Sequence, residues 1–177
     1  MTRVIAISGS LRAASSNASI LRAAQRLAPA GMSIELYEGL GTLPHYNPDL
    51  DYTDTPPATV AELRALIAAA NGLIISSPEY AHGVPGSLKN ALDWLVSSNE
   101  LMDLPVLLIN ASPSGGHFAQ PALAETIRVM GANLLEKASL VSPFIRNKIG
   151  AEGELNDAEV EAALRASLAA LAHAIGA

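Results

Sequence analysis

Short apolar runs alternate along this chain with segments whose apolar residues recur at helical spacing, the pattern of a parallel sheet joined by crossover helices. Val4 to Ile7 is apolar throughout, as a strand covered on both faces must be. A helix is expected from Asn17 to Leu27, with Ile20, Ala24 and Leu27 on one face and Pro29-Ala30-Gly31 ending it. Ser33 to Tyr37 alternates as a second strand. Val60, Leu63, Ile67 and Ala70 predict a second helix that stops at Asn71-Gly72, and Leu73 to Ser76 is a third strand. Leu88, Ala91, Leu92 and Leu95 form the stripe of the next helix, with Pro85 in its first turn. Val106 to Ile109 is the fourth strand. Leu123, Ile127 and Met130 mark a helix ending at Gly131, and a fifth strand is expected within Leu134 to Val141. The last helix is expected to begin at a capping box, Asn156 with Glu159, and carries Val160, Leu164, Leu168, Leu171 and Ile175.

Five strands and five helices in this order predict a flavodoxin-like α/β fold. Its doubly wound parallel sheet would have the order 2-1-3-4-5, with helices on both faces and one domain spanning residues 1–177. That order opens a crevice at the carboxyl ends of the strands, between the first and the third. The loops after strands one, three and four should therefore carry function. The stretch from Glu38 to Pro57 is a long loop rich in Gly, Pro, Asn and Asp, of a length that is usually functional.

Composition narrows the classes of function. Half of the 177 residues are hydrophobic and only 16% are charged, which suits a folded domain. No cysteine is present, so disulfides, thiolate metal sites and a catalytic thiol are excluded. The net charge is −6 and the eleven basic residues form no stripe, which argues against nucleic acid or an anionic membrane as the main partner. No apolar run approaches the roughly 20 residues of a membrane span. Met1-Thr2-Arg3 leads directly into a short apolar run, too short for the core of a signal peptide, so a cytoplasmic protein is expected. The histidines His45, His82, His117 and His173 lack metal-ligand spacing, so no metal site is expected.

The first loop, Gly9-Ser10-Leu11-Arg12-Ala13-Ala14-Ser15-Ser16-Asn17, joins the first strand to a helix N-terminus. Backbone N–H groups, hydroxyls and a fixed cation converge there, which suits a phosphate dianion. It lacks the glycines of a dinucleotide fingerprint and the Gly-Lys-Ser/Thr ending of a Walker loop. The same residues also fit an ordinary turn with a serine cap and a solvated arginine. The second loop runs from Ser76 to Asn90, and its two prolines and two glycines suggest an extended, rigid wall against which a planar ring could lie. Tyr80 either packs on such a ring or covers its neighbours. The third loop, Asn110-Ala111-Ser112-Pro113-Ser114-Gly115-Gly116-His117, is small and backbone-exposed and would close the other side.

Gly9-Ser10-Leu11-Arg12, Ser15 and Asn17, taken with Pro78-Glu79-Tyr80 and the run Val84-Pro85-Gly86-Ser87-Leu88-Lys89-Asn90-Ala91-Leu92-Asp93-Trp94, resemble the NADPH-dependent FMN reductase family. That family includes bacterial quinone and chromate reductases and related azoreductases. The resemblance extends from Val4 through Lys148. It implies noncovalent FMN, with NADPH or NADH as electron donor, a small-molecule acceptor such as a quinone or free flavin, and a homodimer or homotetramer. It further implies that Ser10, Arg12, Ser15, Ser16 and Asn17 bind the FMN phosphate. Pro78, Glu79, Tyr80 and the backbone near Ala81 and His82 would line the isoalloxazine, with Ser112, Ser114, Gly115 and Gly116 contributing from the third loop. Ala81 stands where many relatives have asparagine.

No acid or base of the protein is demanded by hydride transfer to a flavin, so no catalytic side chain is assigned. His82 and His117 either face substrate from opposing loops or lie on the surface. Lys89 and Asp93, four apart on one helix, are expected to pair. Trp94 is expected in the core or an interface, and Glu79 beside an arginine such as Arg12 or across a dimer contact. Tyr46, Asn47 and Asp49 are interface candidates. The alternative function is a flavodoxin-type electron carrier, disfavoured by Arg12 and the Pro-Glu-Tyr loop.

Overall fold

The computed structural model describes residues 1–51, 55–112, 115–143, 145–150 and 152–176. The central strands are β1 (Thr2–Ser8), β3 (Gly72–Ser76) and β4 (Pro105–Asn110), flanked by β2 (Met32–Tyr37). All pair in parallel in the order β2-β1-β3-β4, with β5 (Asn133–Leu134) beyond. The expected order 2-1-3-4-5 is thus observed. Among the described residues six helices connect or cover them: α1 (Ser16–Arg26), α2 (Pro48–Asp51), α3 (Ala58–Ala68), α4 (Gly86–Leu95), α5 (Ala119–Val129) and α6 (Ala158–Ile175).

Why the central strands read as apolar without alternation is visible in their two faces. Successive residues point to opposite sides of a sheet, and here both sides are covered. Val4, Ala6, Ile74, Leu107 and Ile109 pack against α1 and α6 through Ile20, Leu21, Leu164 and Leu168. Ile5, Ile7, Leu73, Ile75, Val106 and Leu108 pack on the other side against Leu63, Ile67, Leu88, Leu92, Leu123 and Ile127 of α3, α4 and α5.

The fifth strand departs from expectation. It is two pieces, β5 and β6 (Leu140–Val141), separated by a 3-10 turn at Glu136–Ala138. Leu134 pairs with Val106 and Leu140 with Ile109, so three steps along β4 face six along its partner. A continuous strand cannot absorb the excess, and the turn takes it up. The last helix departs too: its N-cap is Asp157, whose side chain accepts from the Val160 N–H at 3.0 Å. Asn156 lies one residue before that cap, and its N–H donates to the Lys148 carbonyl at 2.8 Å. Pro85 is the N-cap of α4, one residue before the helix proper.

The long loop after β2 folds back on its own chain, and Tyr52, Thr53 and Asp54 lie outside the described residues. The buried Trp94 indole and the Asn90 amide both donate to the Pro44 carbonyl at 2.9 Å. Tyr46 packs edge-on against Trp94 with ring centroids 5.1 Å apart, and its N–H donates to the Asn90 side chain at 2.7 Å. Asp51, whose side chain is wholly buried, pairs with the Arg64 guanidinium and accepts from the Ser97 hydroxyl at 2.7 Å. Burial raises the Asp51 pKa, but hydrogen bonds from Ser97 and Arg64 and the Arg64 charge outweigh it and leave the carboxyl below its usual value. Lys89 and Asp93 pair as expected, at 2.6 Å. No described helix is long and apolar enough to cross a membrane.

Candidate functional site: a cleft at the carboxyl ends of β1, β3 and β4

The turn from β1 into α1 begins where Gly9 passes between two neighbours. A Cβ there would lie 2.9 Å from the Ser77 Oγ and 3.0 Å from a Leu88 methyl, so a larger residue would have to push these side chains aside. The Gly9 N–H still donates to the Ser76 carbonyl at 2.8 Å. Ser15 then caps α1, its hydroxyl accepting from the Ala18 N–H at 3.4 Å. First-turn N–H groups, those of Ser16 and Asn17, have no intrahelical acceptor and carry the positive end of the helix dipole. Asn17 is buried and its Oδ1 accepts from the Ser76 hydroxyl at 2.9 Å, tying the helix start to the end of β3.

These residues form one wall of an open cleft of about 190 Å³. The opposite wall is Pro78, Glu79 and Tyr80 after β3, with Ala111 and Ser112 after β4. The Tyr80 and Ser10 hydroxyls bridge the two walls at 3.2 Å, and the Ser112 hydroxyl accepts from the Glu79 N–H at 3.1 Å. Arg12 lines the cleft, and its guanidinium has no ion-pair or hydrogen-bond partner among the described residues. A fixed cation, hydroxyls and first-turn amides facing one space fit a phosphate dianion, so the donor set matches the phosphate end of FMN.

Of the residues the sequence singled out, Ser10, Arg12, Ser15, Ser16, Asn17, Pro78, Glu79, Tyr80 and Ser112 come together in this cleft. Ala81, His82, Gly115 and Gly116 do not line it, and Ser114 lies outside the described residues. The loop after β3 is not extended as expected. Tyr80 and Gly83 exchange both backbone hydrogen bonds, at 3.1 and 2.9 Å, around a tight two-residue turn. Ala81 and His82 at its centre both have positive φ, +48° and +61°. A type I′ turn demands that, and non-glycine residues held so cost about 1 kcal/mol each. The His82 ring stacks on Phe118 at 4.0 Å, which anchors the turn to the start of α5.

Glu79 is likewise placed differently from its expected pairing with an arginine. Its carboxylate accepts from the N–H groups of Phe118 and Ala119, both at 2.8 Å, at the N-terminus of α5. Those bonds, Ala119 first and then Phe118, hold its carboxyl below the usual range, and the nearby His82 and His117 act in the same direction. A helix start that offers unpaired N–H groups satisfies a carboxylate without an ion pair.

Sequence reasoning missed Ala111, Ile145 and Arg146, which also line the cleft. Arg146 sits in a 3-10 turn (Ile145–Asn147) soon after β6, on the same edge of the sheet as the other loops. The rule that every loop after a parallel strand opens on that edge would have pointed to it.

Comparison with known proteins agrees with this geometry. The model of the NADPH-dependent FMN reductase family matches residues 2–146. An NAD(P)H-dependent FMN reductase of Pseudomonas aeruginosa is 36% identical over 96% of this chain and 92% of that protein. A quinone reductase of Escherichia coli is 34% identical over 88% of this chain and 85% of its own length. Among solved structures, a flavoenzyme NAD(P)H:(acceptor) oxidoreductase from Paracoccus denitrificans superposes with a TM-score of 0.89 at 28% identity, covering 99% of this chain and 98% of that one. The cleft, the topology and these matches together place the chain in the NADPH-dependent FMN reductase family.

Proposed function

We propose that this chain is an FMN-dependent NAD(P)H oxidoreductase that passes electrons to a small acceptor such as a quinone or free flavin. The observation that carries the reading is Arg12, a cation without a protein partner among the described residues, at the start of α1 and within the cleft walled by Pro78 to Tyr80. FMN held there would supply the redox chemistry of hydride acceptor and electron donor, and the chain supplies its binding and orientation.

In this reading Arg12, the hydroxyls of Ser10, Ser15 and Ser16, and the first-turn N–H groups hold the phosphate. Asn17, fixed by Ser76, keeps that helix start aligned with the sheet edge. Pro78 and Tyr80 present a rigid surface toward the ring end, and Ser112 braces it through the Glu79 N–H. Tyr80, half-exposed on the wall of the cleft, leaves the site open for donor and acceptor to take turns. A homodimer or homotetramer is part of the same proposal, supported by exposed apolar residues such as Val96 and Val129, and sedimentation velocity checks it.

The test is anaerobic stopped-flow absorbance of FMN-loaded protein mixed with NADPH or NADH. Fast loss of the oxidised flavin band, restored by a quinone, is expected. Tight FMN binding with no reduction by either nucleotide would overturn the enzyme reading in favour of an electron carrier.

A further inference from the structure

A second cleft, of about 400 Å³, lies against the first and shares Ser16 and Arg146 with it. Ser16 belongs to the phosphate end, and none of Pro78, Tyr80 or Ser112 lines the second cleft. Its volume falls in the range of small-molecule sites, roughly 300 to 1,000 Å³. Its chemistry is mixed in a specific way. Arg22 and Arg146 bring two guanidinium groups, Ser16 a hydroxyl, and Ala14 and Ile149 an apolar surface. Glu152 stands as the one acid among its described lining residues.

The outer wall is built rather than loose. Ile149 and Leu155 bridge in antiparallel fashion, and the Gly150 N–H donates to the Glu154 carbonyl at 2.8 Å. Gly153, with φ +85°, lies directly on the backbone of α1, where a Cβ would come within 2.6 Å of the Ala23 nitrogen. The segment carrying Ile149 and Glu152 is therefore held against the helix that carries Arg22.

We propose that this second cleft is a subsite for an adenosine phosphate. Guanidinium groups pair with phosphate and stack on flat rings, and an apolar floor suits a purine, so both halves of an adenylate find a partner. Two sources share that chemistry: the adenylate half of FAD, joined to the flavin phosphate that the first cleft holds, and the adenosine end of NADPH. Adjacency to the phosphate end favours FAD. The inference rests on the flavin reading of the first cleft.

The experiment titrates apoprotein with FMN and with FAD by quenching of flavin fluorescence, for wild type, Arg22→Ala and Glu152→Gln. A second arm measures KM for NADPH and NADH on the FMN-loaded proteins. If FAD is the source, Arg22→Ala weakens FAD roughly tenfold and leaves FMN unchanged, the size of one charge-assisted hydrogen bond. Glu152→Gln tightens FAD, a gain that damage to the fold cannot imitate. If the nicotinamide nucleotide is the source, the same opposite changes appear in its KM, for NADPH alone where the 2′-phosphate is held and for both nucleotides where the shared 5′-phosphate is. FMN binding with FAD and NADPH parameters untouched by both substitutions overturns the subsite alone. Failure of FMN itself to bind overturns the reading of the first cleft and this inference with it.

Discussion

Two loops leave neighbouring strands at the same edge of the sheet and do opposite things with their polar groups. The loop after β1 is short and keeps Arg12 without a protein partner among the described residues. The loop after β2 is more than twice as long, and among its described residues several polar groups are engaged inside the chain: Asp51 with Arg64 and Ser97, Tyr46 with Asn90, and the Pro44 carbonyl with Trp94. Length alone suggested that the longer loop was functional. What separates them is whether donors and charges are already satisfied, because a buried, fully paired group has nothing left to offer a ligand.

The strongest way to break this contrast is Asp51→Ala, which leaves the largely buried Arg64 guanidinium without its carboxylate partner. A loss of about 3–5 kcal/mol in denaturant unfolding is expected, with FMN affinity of the folded protein unchanged. A large loss of FMN affinity at unchanged stability would place the long loop in the site instead. Next, Arg12→Ala should weaken FMN by roughly ten- to hundredfold in fluorescence titration while the apoprotein melts as before. Equal FMN affinity would return Arg12 to the status of a solvated surface charge.

Smaller effects sharpen the contrast at the loop after β3, which lines the cleft yet uses its own acid structurally. Ala81→Asn, placing at φ +48° a residue that tolerates it, should raise Tm by about 1–3 °C. A fall in Tm would mean that the turn is not strained as its angles imply. Glu79→Gln should lower Tm at neutral pH and leave FMN affinity alone. The folded pKa of Glu79 lies below its unfolded value, so its contribution is complete above about 4.3 and fades as pH falls through the folded pKa. The gap between wild type and variant should therefore close in acid, and a gap that persists there would show that the carboxylate charge is not what caps α5.

The sheet order and the loop after β1 were legible because their signals are local. Val4 to Ile7 is apolar at every position only if both faces are covered, and Gly9 to Asn17 carries its hydroxyls and cation within nine residues. Family resemblance added the assignment to FMN, which those residues alone left as a phosphate site. What was hidden depends on partners distant in the chain. The Tyr80–Gly83 turn has Ala-His where Asn-Gly would have announced it. Glu79 finds its acceptor role at α5, some forty residues on, and Arg146 reaches the cleft only because β6 ends beside it. The split of β5 from β6 is a matter of register against β4, which no single segment records.

That split also decides how copies of this chain can meet. A sheet border with an unbroken row of free amides and carbonyls is a template for another strand, and fibrils grow from such borders. Beyond β4 this sheet presents two fragments of two residues each, interrupted by a turn, so a foreign strand would find no ladder to join. The opposite border, β2, runs six residues but carries Glu35 paired with Arg3 at 2.8 Å, a charged pair that a docking strand would have to cover. Neither border thus offers a foreign strand a free ladder, and the sheet is kept from extending end to end between molecules.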